Sequence, residues 1–188
     1  MTENFMTFLS ALAEIQEKDL ERISNSIKIK NVKRHAPLLK LGQVCKEFCY
    51  LQKGCMRSFY VTLDGKEKTR LIAFDDTPIT ALTSFVHQNP SVECIEALED
   101  SQLLCISHQS FFLFIDEIPG WETFYRKILE YAFFFQNRRI EDLVTLKASA
   151  RYEKLLKEQP EYVKRVSNKI IASYLDITQE TLSRVKSI

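Results

Sequence analysis

The chain has 188 residues, of which 45% are hydrophobic, and its formal net charge at pH 7 is +1. This length and apolar fraction are sufficient for one large or two small globular domains with buried cores. The longest apolar run, Tyr131 to Phe135, is too short to cross a bilayer, and no basic segment precedes an apolar one near Met1, so we expect no membrane span and no secretion signal. The five cysteines form no regular framework, which fits a reducing, cytoplasmic compartment.

The first 107 residues change from a helical to a strand pattern. Residues Glu3 to Ser26 place apolar side chains at helical spacing. From Ile27 to Ser107, short β-branched or aromatic runs alternate with turns, and Asp64-Gly65 is a strong hairpin signal. Strands are predicted at Ile27 to Lys33, Glu47 to Lys53, Cys55 to Thr62, Ser91 to Ala97 and Gln102 to Ser107. Short strands at this spacing predict a β-sandwich or barrel, most simply a jelly roll.

A long helix follows Pro119-Gly120 and continues without Pro or Gly from Trp121 to Leu146. Its apolar stripe is broad enough to face both the β-domain and a second chain, so we predict a dimerisation helix in a homodimer. The residues predicted at that interface are Phe124, Ile128, Tyr131 and Phe135. Burial of the whole helix within one chain is the alternative. A shorter helix is predicted from Ala148 to Leu156, broken at Pro160.

The last 22 residues have the spacing of a helix-turn-helix. One helix is predicted from Ser167 to Leu175 and a second from Thr178 onward, and the connection between them is too short for anything but a sharp turn. Asp176 stands where many such turns carry Gly, and Asp tolerates the left-handed conformation well. Thr178 suits an N-cap. The residues predicted on the inside of the corner are Ile171, Ala172, Leu175, Ile177, Leu182 and Val185.

The outward side chains of the second helix predict contacts with DNA bases. Gln179 suits adenine, Arg184 suits guanine in bidentate fashion, and Glu180 can accept from the cytosine amino group. The side chains predicted at the DNA backbone are Thr178, Ser183, Lys169 and Lys186. An ordinary helical hairpin with a solvated polar face is the alternative interpretation.

The charge is distributed unevenly along the chain. From Lys147 to Ile188 there are nine Lys or Arg and five Asp or Glu, a balance of +4, which leaves 17 against 20, or −3, for the preceding 146 residues. A basic C-terminal segment is expected of a domain that meets phosphate, although many helical surfaces reach this charge without binding nucleic acid. The charge therefore supports the helix-turn-helix prediction but would not by itself indicate DNA binding.

An N-terminal helical segment, a jelly roll, a long dimer helix and a helix-turn-helix together resemble the bacterial cyclic-nucleotide receptor and fumarate-nitrate regulator (Crp/Fnr) family. Gly42, Gly54 and Gly65 match its hairpin glycines, and Thr178-Gln-Glu-Thr-Leu-Ser-Arg184 resembles its recognition helix. The family often has Arg where Gln179 stands. The resemblance implies a transcription factor that binds double-stranded DNA, with RNA polymerase as a candidate partner. It also implies a β-wing after the recognition helix; this sequence ends at Ile188, so the wing is missing, very short or outside it.

The ligand segment departs from the family. Relatives grip cyclic nucleotide with a Gly-Glu pair and an Arg-Ser or Arg-Thr pair, where this chain has Ala81-Leu82 and Ser91-Val92. Residues Thr77 to Val92 contain no charged side chain, so nothing there can neutralise a phosphate, and we expect no dependence on cyclic AMP. A pocket for an unknown effector could be lined by Thr80, Thr83, Ser84 and Ser91, or the space could be filled by Leu82 and Phe85.

The sequence predicts no cofactor, metal site or catalytic residue. Cys45, Cys49 and Cys55 are close in sequence, but their spacing is not a recognised cluster motif and no fourth ligand stands nearby, so we interpret them as buried free cysteines. The histidines are scattered, and no phosphate-binding loop or nucleophile-base pair is found. We therefore expect a regulator and not an enzyme.

The predicted architecture is α+β. It comprises a sensor-like jelly roll with N-terminal helices (1–118), a dimer helix (119–146) and a helix-turn-helix domain (147–188). In a dimer, the two recognition helices enter successive major grooves, which predicts a pseudo-palindromic site with half-sites one helical turn apart. The alternative is a ligand-binding or protein-docking jelly roll whose helical tail serves dimerisation only.

Overall fold

The computed structural model describes residues 2–187 of the chain, and its elements follow the predicted order. The helices are α1 (Glu3–Leu12), α2 (Glu17–Ser26), α3 (Leu82–His87), α4 (His108–Glu117), α5 (Trp121–Thr145), α6 (Ala148–Glu158), α7 (Pro160–Arg165), α8 (Asn168–Tyr174) and α9 (Gln179–Lys186). The strands are β1 (Lys28–Val32), β2 (Pro37–Leu39), β3 (Glu47–Lys53), β4 (Cys55–Val61), β5 (Glu67–Phe74), β6 (Thr77–Pro78), β7 (Glu93–Ala97) and β8 (Ser101–Ser107).

The strands form two antiparallel sheets of four, in the orders β1-β8-β3-β6 and β2-β7-β4-β5. The β4–β5 hairpin closes where Asp64-Gly65 predicts it, with a hydrogen bond of 2.9 Å from the Thr62 N–H to the Lys66 carbonyl. The predicted α+β class with a jelly roll is confirmed. The sequence pattern missed β2 and β6, which have three and two residues, and also α3 and α4. The two short strands and the six-residue α3 display too few periods to be recognised, whereas α4 was missed although its ten residues equal the length of α1.

Aromatic side chains from α1, β3, α4 and α5 fill the main core. Phe5 of α1, Phe48 of β3 and Phe111 of α4 surround Trp121 and Phe124 at the start of α5, and all five are nearly inaccessible. The Trp121 indole N–H donates to the Phe111 carbonyl at 2.8 Å, which satisfies the one polar atom of that ring. The first turns of α5 are therefore fixed to the jelly roll.

This packing corrects two of the four residues predicted at a dimer interface. Phe124 and Ile128 are 0% and 4% exposed and belong to the core of their own chain. The first part of the apolar stripe of α5, which includes these two positions, packs against the jelly roll. Several apolar residues later in α5 are exposed. Within residues 2–187, none of the helices combines the length and apolarity that a bilayer crossing requires.

A second core joins the C-terminal helices to the β2-β7-β4-β5 sheet. Cys55 and Ile72 of that sheet pack in one cluster with Tyr162 of α7, Ile171 of α8 and Leu182 of α9. Pro160 is the first residue of α7, so it begins a helix there as well as ending the preceding one. The helix-turn-helix is consequently held against the jelly roll.

Candidate nucleic-acid interface

The α8–α9 corner has the geometry that its sequence predicts. Asp176 adopts φ 53°, the left-handed conformation that reverses the chain between the two helices. The Ile177 N–H then donates to the Ala172 carbonyl at 3.0 Å, closing the end of α8. Thr178 caps α9, because its hydroxyl accepts the Thr181 N–H at 3.2 Å.

Apolar packing holds the corner closed. Ile171, Ala172, Leu175 and Leu182 are each 5% exposed or less, and Ala172 is small enough for the two helices to approach. Ile177 and Val185, which were predicted inside, are partly buried against the same cluster. The direction of α9 relative to α8 is therefore fixed by side chains that take no part in any external contact.

The opposite side of α9 is exposed. It carries Gln179, Glu180, Ser183 and Arg184, the set that the sequence predicts to face outward. A hydrogen bond from the Thr178 hydroxyl, a backbone N–H and the nearby Arg184 charge lower the pKa of Glu180. Glu180 is thus a carboxylate at neutral pH and can only accept hydrogen bonds.

The two lysines predicted at the DNA backbone have different surroundings. Lys169 on α8 is exposed. Lys186 donates to the Asn168 side chain at 2.5 Å, and its ammonium lies 5.9 Å from the centre of the Tyr152 ring. Lys186 thus connects the end of α9 to the start of α8, and to reach a phosphate its side chain must leave Asn168.

Polar contacts attach α8 to strand β5. The Ser173 hydroxyl accepts the Thr69 N–H at 2.8 Å and donates to the Glu67 carbonyl at 2.8 Å, so it occupies a position on the edge of β5. Lys68 forms an ion pair with Asp176 at the turn of the helix-turn-helix. The Arg139 guanidinium of α5 donates to the carbonyls of Thr69 and Tyr174, at 2.9 and 2.5 Å.

A second anchor lies at the far end of β5. Arg165 of α7 forms an ion pair with Glu99 at 2.7 Å, and its guanidinium lies 4.7 Å from the centre of the Phe74 ring. It also donates to the Gly54 carbonyl at 3.0 Å. Gly54 adopts φ 120°, and a Cβ there would meet the backbone of Ser101 at 2.8 Å, so only glycine fits this site.

The predicted effector pocket is closed in this structure. Ser84 hydrogen-bonds with the Cys45 N–H and the Asn89 carbonyl, Thr80 accepts the Cys49 N–H, and Ser91 hydrogen-bonds with the backbone of Glu93. All three hydroxyls are buried and are engaged inside the chain, which corrects their assignment to a pocket lining. Thr83 is exposed on α3.

Phe85 of α3 occupies the interior beside these hydroxyls. Its ring is 0% exposed and contacts the rings of Phe48, Phe111 and His108, with centroids 5.3 to 6.4 Å apart. The alternative stated from the sequence, a space filled by apolar side chains, agrees with this packing.

Two arginines that form ion pairs within the sheet, Arg57 buried and Arg70 partly buried, were not found from the sequence. Arg70 forms an ion pair with Glu93 at 2.7 Å, and the same carboxylate accepts the Ser58 hydroxyl at 2.5 Å. Arg57 forms an ion pair with Glu96 at 2.6 Å and is only 5% exposed. The signal available was an arginine within the apolar run of β4, which requires a partner if that strand is buried.

A cleft of about 600 Å³ separates α5 from β5 and the C-terminal helices. Tyr131 and Phe135, two of the predicted dimer residues, line this cleft together with Phe134. The four positively charged groups in its walls are engaged within the chain: Arg138 and Lys154 form ion pairs with Glu158 and Asp142, and Arg139 and Arg151 donate to backbone carbonyls. The cleft therefore offers mainly aromatic surface.

A second apolar seam on α5 is open to solvent, and of its four members only the last, Leu143, also lines the cleft. Its members follow one another at intervals of four, seven and three residues and are at least 36% exposed: Leu129, Phe133, Ile140 and Leu143. These intervals place them along one line of the helix at coiled-coil spacing. In the single chain, these four apolar side chains are therefore exposed to solvent.

Part of the chain matches a known protein family, and its fold is similar to solved structures. Residues 29–117 match the model of the cyclic nucleotide-binding domain family. No curated protein sequence matches the chain. FixK2 from Bradyrhizobium japonicum has a similar structure, with a TM-score of 0.73 and 16% identity over 86% of this chain and 83% of that one.

Two further solved structures are similar along most of their length. A putative Crp/Fnr-family transcriptional regulator from Eubacterium rectale has a TM-score of 0.73 and 16% identity, covering 91% of this chain and 82% of that chain. A CooA mutant from Carboxydothermus hydrogenoformans has a TM-score of 0.72 and 17% identity, covering 93% and 85%. At these identities the likeness concerns the fold, which the described residues share from the jelly roll through the C-terminal helices.

Proposed function

We propose that this chain, which has the fold of the Crp/Fnr regulators and carries a cyclic nucleotide-binding domain, is a homodimeric, sequence-specific DNA-binding regulator of transcription. The observation that carries the proposal is α9 itself. Its inner face closes the corner with α8, while Gln179, Glu180 and Arg184 stand exposed as a row of hydrogen-bonding side chains. Such a row at the N-terminal part of a recognition helix reads base edges in the major groove.

The dimer is proposed along α5. The seam formed by Leu129, Phe133, Ile140 and Leu143 has coiled-coil spacing and is exposed in the single chain. A two-fold axis beside this seam makes the interface self-complementary, as in most homodimers. Two recognition helices then read a pseudo-palindromic site with half-sites one helical turn apart, and RNA polymerase is the further partner that we propose for such a regulator.

The jelly roll is proposed to act without cyclic AMP. The hydroxyls of Thr80, Ser84 and Ser91 form hydrogen bonds with the backbone of the same chain. The Phe85 ring fills the adjoining space. A cyclic phosphate needs charge-assisted donors, and the α3 segment offers none. We therefore expect no change in DNA affinity when cyclic AMP is added.

Equilibrium binding to fluorescent duplex DNA of random sequence, measured across a range of salt concentrations, tests this function. A regulator of this kind binds duplex with an affinity that falls linearly on a log–log plot of salt concentration. Lys169→Ala should reduce the slope by about one phosphate contact per subunit. Absence of duplex binding at low salt, with the dimer intact, would favour the protein-docking module.

A further inference from the structure

Two cysteines face each other across the β3–β8 ladder. Cys49 is directly opposite Cys105, and their sulfur atoms are 2.7 Å apart. Glu47 lies two residues before Cys49 and therefore on the same face of β3. One carboxylate oxygen of Glu47 and the two sulfurs all lie within 4.8 Å of one another. The fold thus brings together three ligand atoms that are separated by 58 residues of sequence from Glu47 to Cys105.

The backbone explains why the sulfurs are close. The Cys49 N–H donates to the Thr80 hydroxyl at 3.0 Å, and the Cys49 carbonyl accepts the Ile79 N–H at 2.8 Å. Both groups point away from β8, so Cys49 and Cys105 form a non-hydrogen-bonded pair of the ladder. Side chains are closest in such pairs.

We propose that Cys49, Cys105 and Glu47 form a binding site for a thiophilic divalent cation of the Zn²⁺ type. Thiolate sulfur and carboxylate oxygen are both ligands of Zn²⁺, and a set with two sulfurs excludes Mg²⁺ and Ca²⁺. The sequence does not reveal this set, because Cys105 is far from the cluster of Cys45, Cys49 and Cys55. Cys55 belongs to the second core, away from the site.

The exchange of protons for a cation conserves charge. Two neutral thiols each lose a proton when they bind, and the divalent cation replaces the two positive charges that leave. Lys30 already forms an ion pair with Glu47, and a carboxylate has a second oxygen for the cation. The buried site therefore acquires no net charge, and the large cost of burying an unpaired ion does not arise.

The neighbouring cavity provides room and access. It has a volume of about 460 Å³ and is lined by Cys45, Glu47 and Cys49, among others. Two sulfurs bound tetrahedrally to one ion at about 2.3 Å each lie roughly 3.8 Å apart, so the side chains must separate by about 1 Å. A water molecule can complete four-coordination and leaves the proton balance at two.

A disulfide between the same sulfurs is the competing chemistry. Cys49 and Cys105 are 3% and 1% exposed, and contact with Cys105 together with burial holds the pKa of Cys49 well above its usual value. A protonated, buried thiol is a poor nucleophile for exchange with an external disulfide, which is far larger than a cation. A disulfide would also leave the position of the Glu47 carboxylate beside the two sulfurs without a role.

The test is titration of the reduced, full-length protein with Cd²⁺ and Zn²⁺ in the absence of oxygen, in a Cys94→Ser background that removes the more accessible thiol. Thiolate-to-cadmium ultraviolet absorption should saturate at one ion per chain, with release of two protons. Cys49→Ser and Cys105→Ser should each weaken binding well beyond the roughly 10- to 100-fold lost with an outer-shell partner. Cys55→Ser, which removes a buried thiol elsewhere, should bind as the parent does.

Glu47→Gln keeps both thiols and separates a ligand from a fold effect. It should weaken Zn²⁺ binding by about tenfold or more, while the apo protein loses only the small stabilisation of the partly exposed Lys30–Glu47 ion pair. The proposal is overturned if no stoichiometric ion binds, if the cysteine variants bind as tightly as the parent, or if the product isolated is a Cys49–Cys105 disulfide formed equally well without metal. None of these results depends on DNA binding.

Discussion

The hydroxyl of Ser173 accepts the backbone N–H of Thr69 at 2.8 Å, which places a side chain of the helix-turn-helix on the edge of strand β5. Thr69 is 2% exposed, so its N–H has no access to bulk water. The same hydroxyl donates to the Glu67 carbonyl, and the contact thus satisfies two backbone groups on the sheet edge that faces α8. The orientation of α8 relative to the jelly roll depends on it.

Ser173→Ala should destabilise the docked arrangement. The buried Thr69 N–H then lacks an acceptor, at a cost of about 1–3 kcal/mol. We expect a lower free energy of unfolding in urea and faster amide exchange along β5. Ser187→Ala removes a hydroxyl that bonds only within α9, to the Ser183 carbonyl, and should leave exchange in β5 unchanged. Equal exchange in both variants would show that Ser173 does not hold the domains together.

Tyr162 should make the stability of the docked bundle depend on high pH. Its hydroxyl donates to the Ile72 carbonyl at 2.9 Å, and burial raises the pKa of Tyr162 above its usual value. The folded chain therefore favours the neutral phenol. This contribution is complete below the unfolded tyrosine value of about 10 and declines as the pH rises through it.

Tyr162→Phe should cost about 1–2 kcal/mol at neutral pH, because the buried hydrogen bond from the Tyr162 hydroxyl to the Ile72 carbonyl is lost. The difference in unfolding free energy between parent and variant should shrink above about pH 10. Tyr152→Phe is the matched control, a buried tyrosine whose ring contacts Lys186 and whose hydroxyl forms no hydrogen bond within the described residues. A loss as large in that control would contradict the role of the Tyr162 hydroxyl.

Substitution of Phe133 and of Phe134 tests whether the dimer forms at the proposed seam or at the cleft. They are adjacent and similarly exposed, at 60% and 66%, but point about 100° apart around the helix axis. Phe134 lines the cleft between α5 and β5, whereas Phe133 lies on the seam with Leu129 and Ile140. Phe133→Ser should shift sedimentation from dimer to monomer at low micromolar concentration, and Phe134→Ser should remain dimeric. If Phe134→Ser were monomeric and Phe133→Ser dimeric, the dimer interface would lie on the cleft face, with Tyr131 and Phe135.

Arg184 and Lys169 should have different effects on DNA binding. Arg184→Ala should relax the preference at one base pair per half-site, with a discrimination loss of about 1–3 kcal/mol. Lys169→Ala should weaken binding to all sequences alike and flatten the salt dependence. Competition between a selected site and single-base variants of it measures both. An Arg184→Ala protein with unchanged base preferences would remove Arg184 from the set of base-reading residues.

The sequence predicted those parts of the fold that local patterns determine. The β4–β5 hairpin, the helix α5 and the corner at Asp176 follow from turn chemistry and apolar spacing within a few residues, and the structure confirms them. Thr178 at the N-cap of α9 is confirmed for the same reason. The exposure of Gln179, Glu180 and Arg184 follows once the inward face of α9 is assigned.

Relations between distant segments could not be read from one sequence. Phe124 and Ile128 belong to an apolar stripe that a dimer or a jelly roll could equally cover, and only the positions of α1 and α4 show that the jelly roll covers it. Cys105 meets Cys49 only because β8 lies beside β3. The hydroxyls of Thr80, Ser84 and Ser91 have the composition of a polar pocket, yet each is used by a backbone group that the sequence does not place.

Selection of bound duplexes from a random DNA pool, at about physiological salt and without cyclic AMP, tests the central claim most directly. The account predicts enrichment of a two-fold symmetric motif with half-sites one helical turn apart, and loss of one base preference in each half-site when Arg184→Ala is selected in parallel. Enrichment of no motif by a protein that is folded and dimeric would contradict it, and would make α8 and α9 a structural bundle docked on the jelly roll instead of a DNA reader.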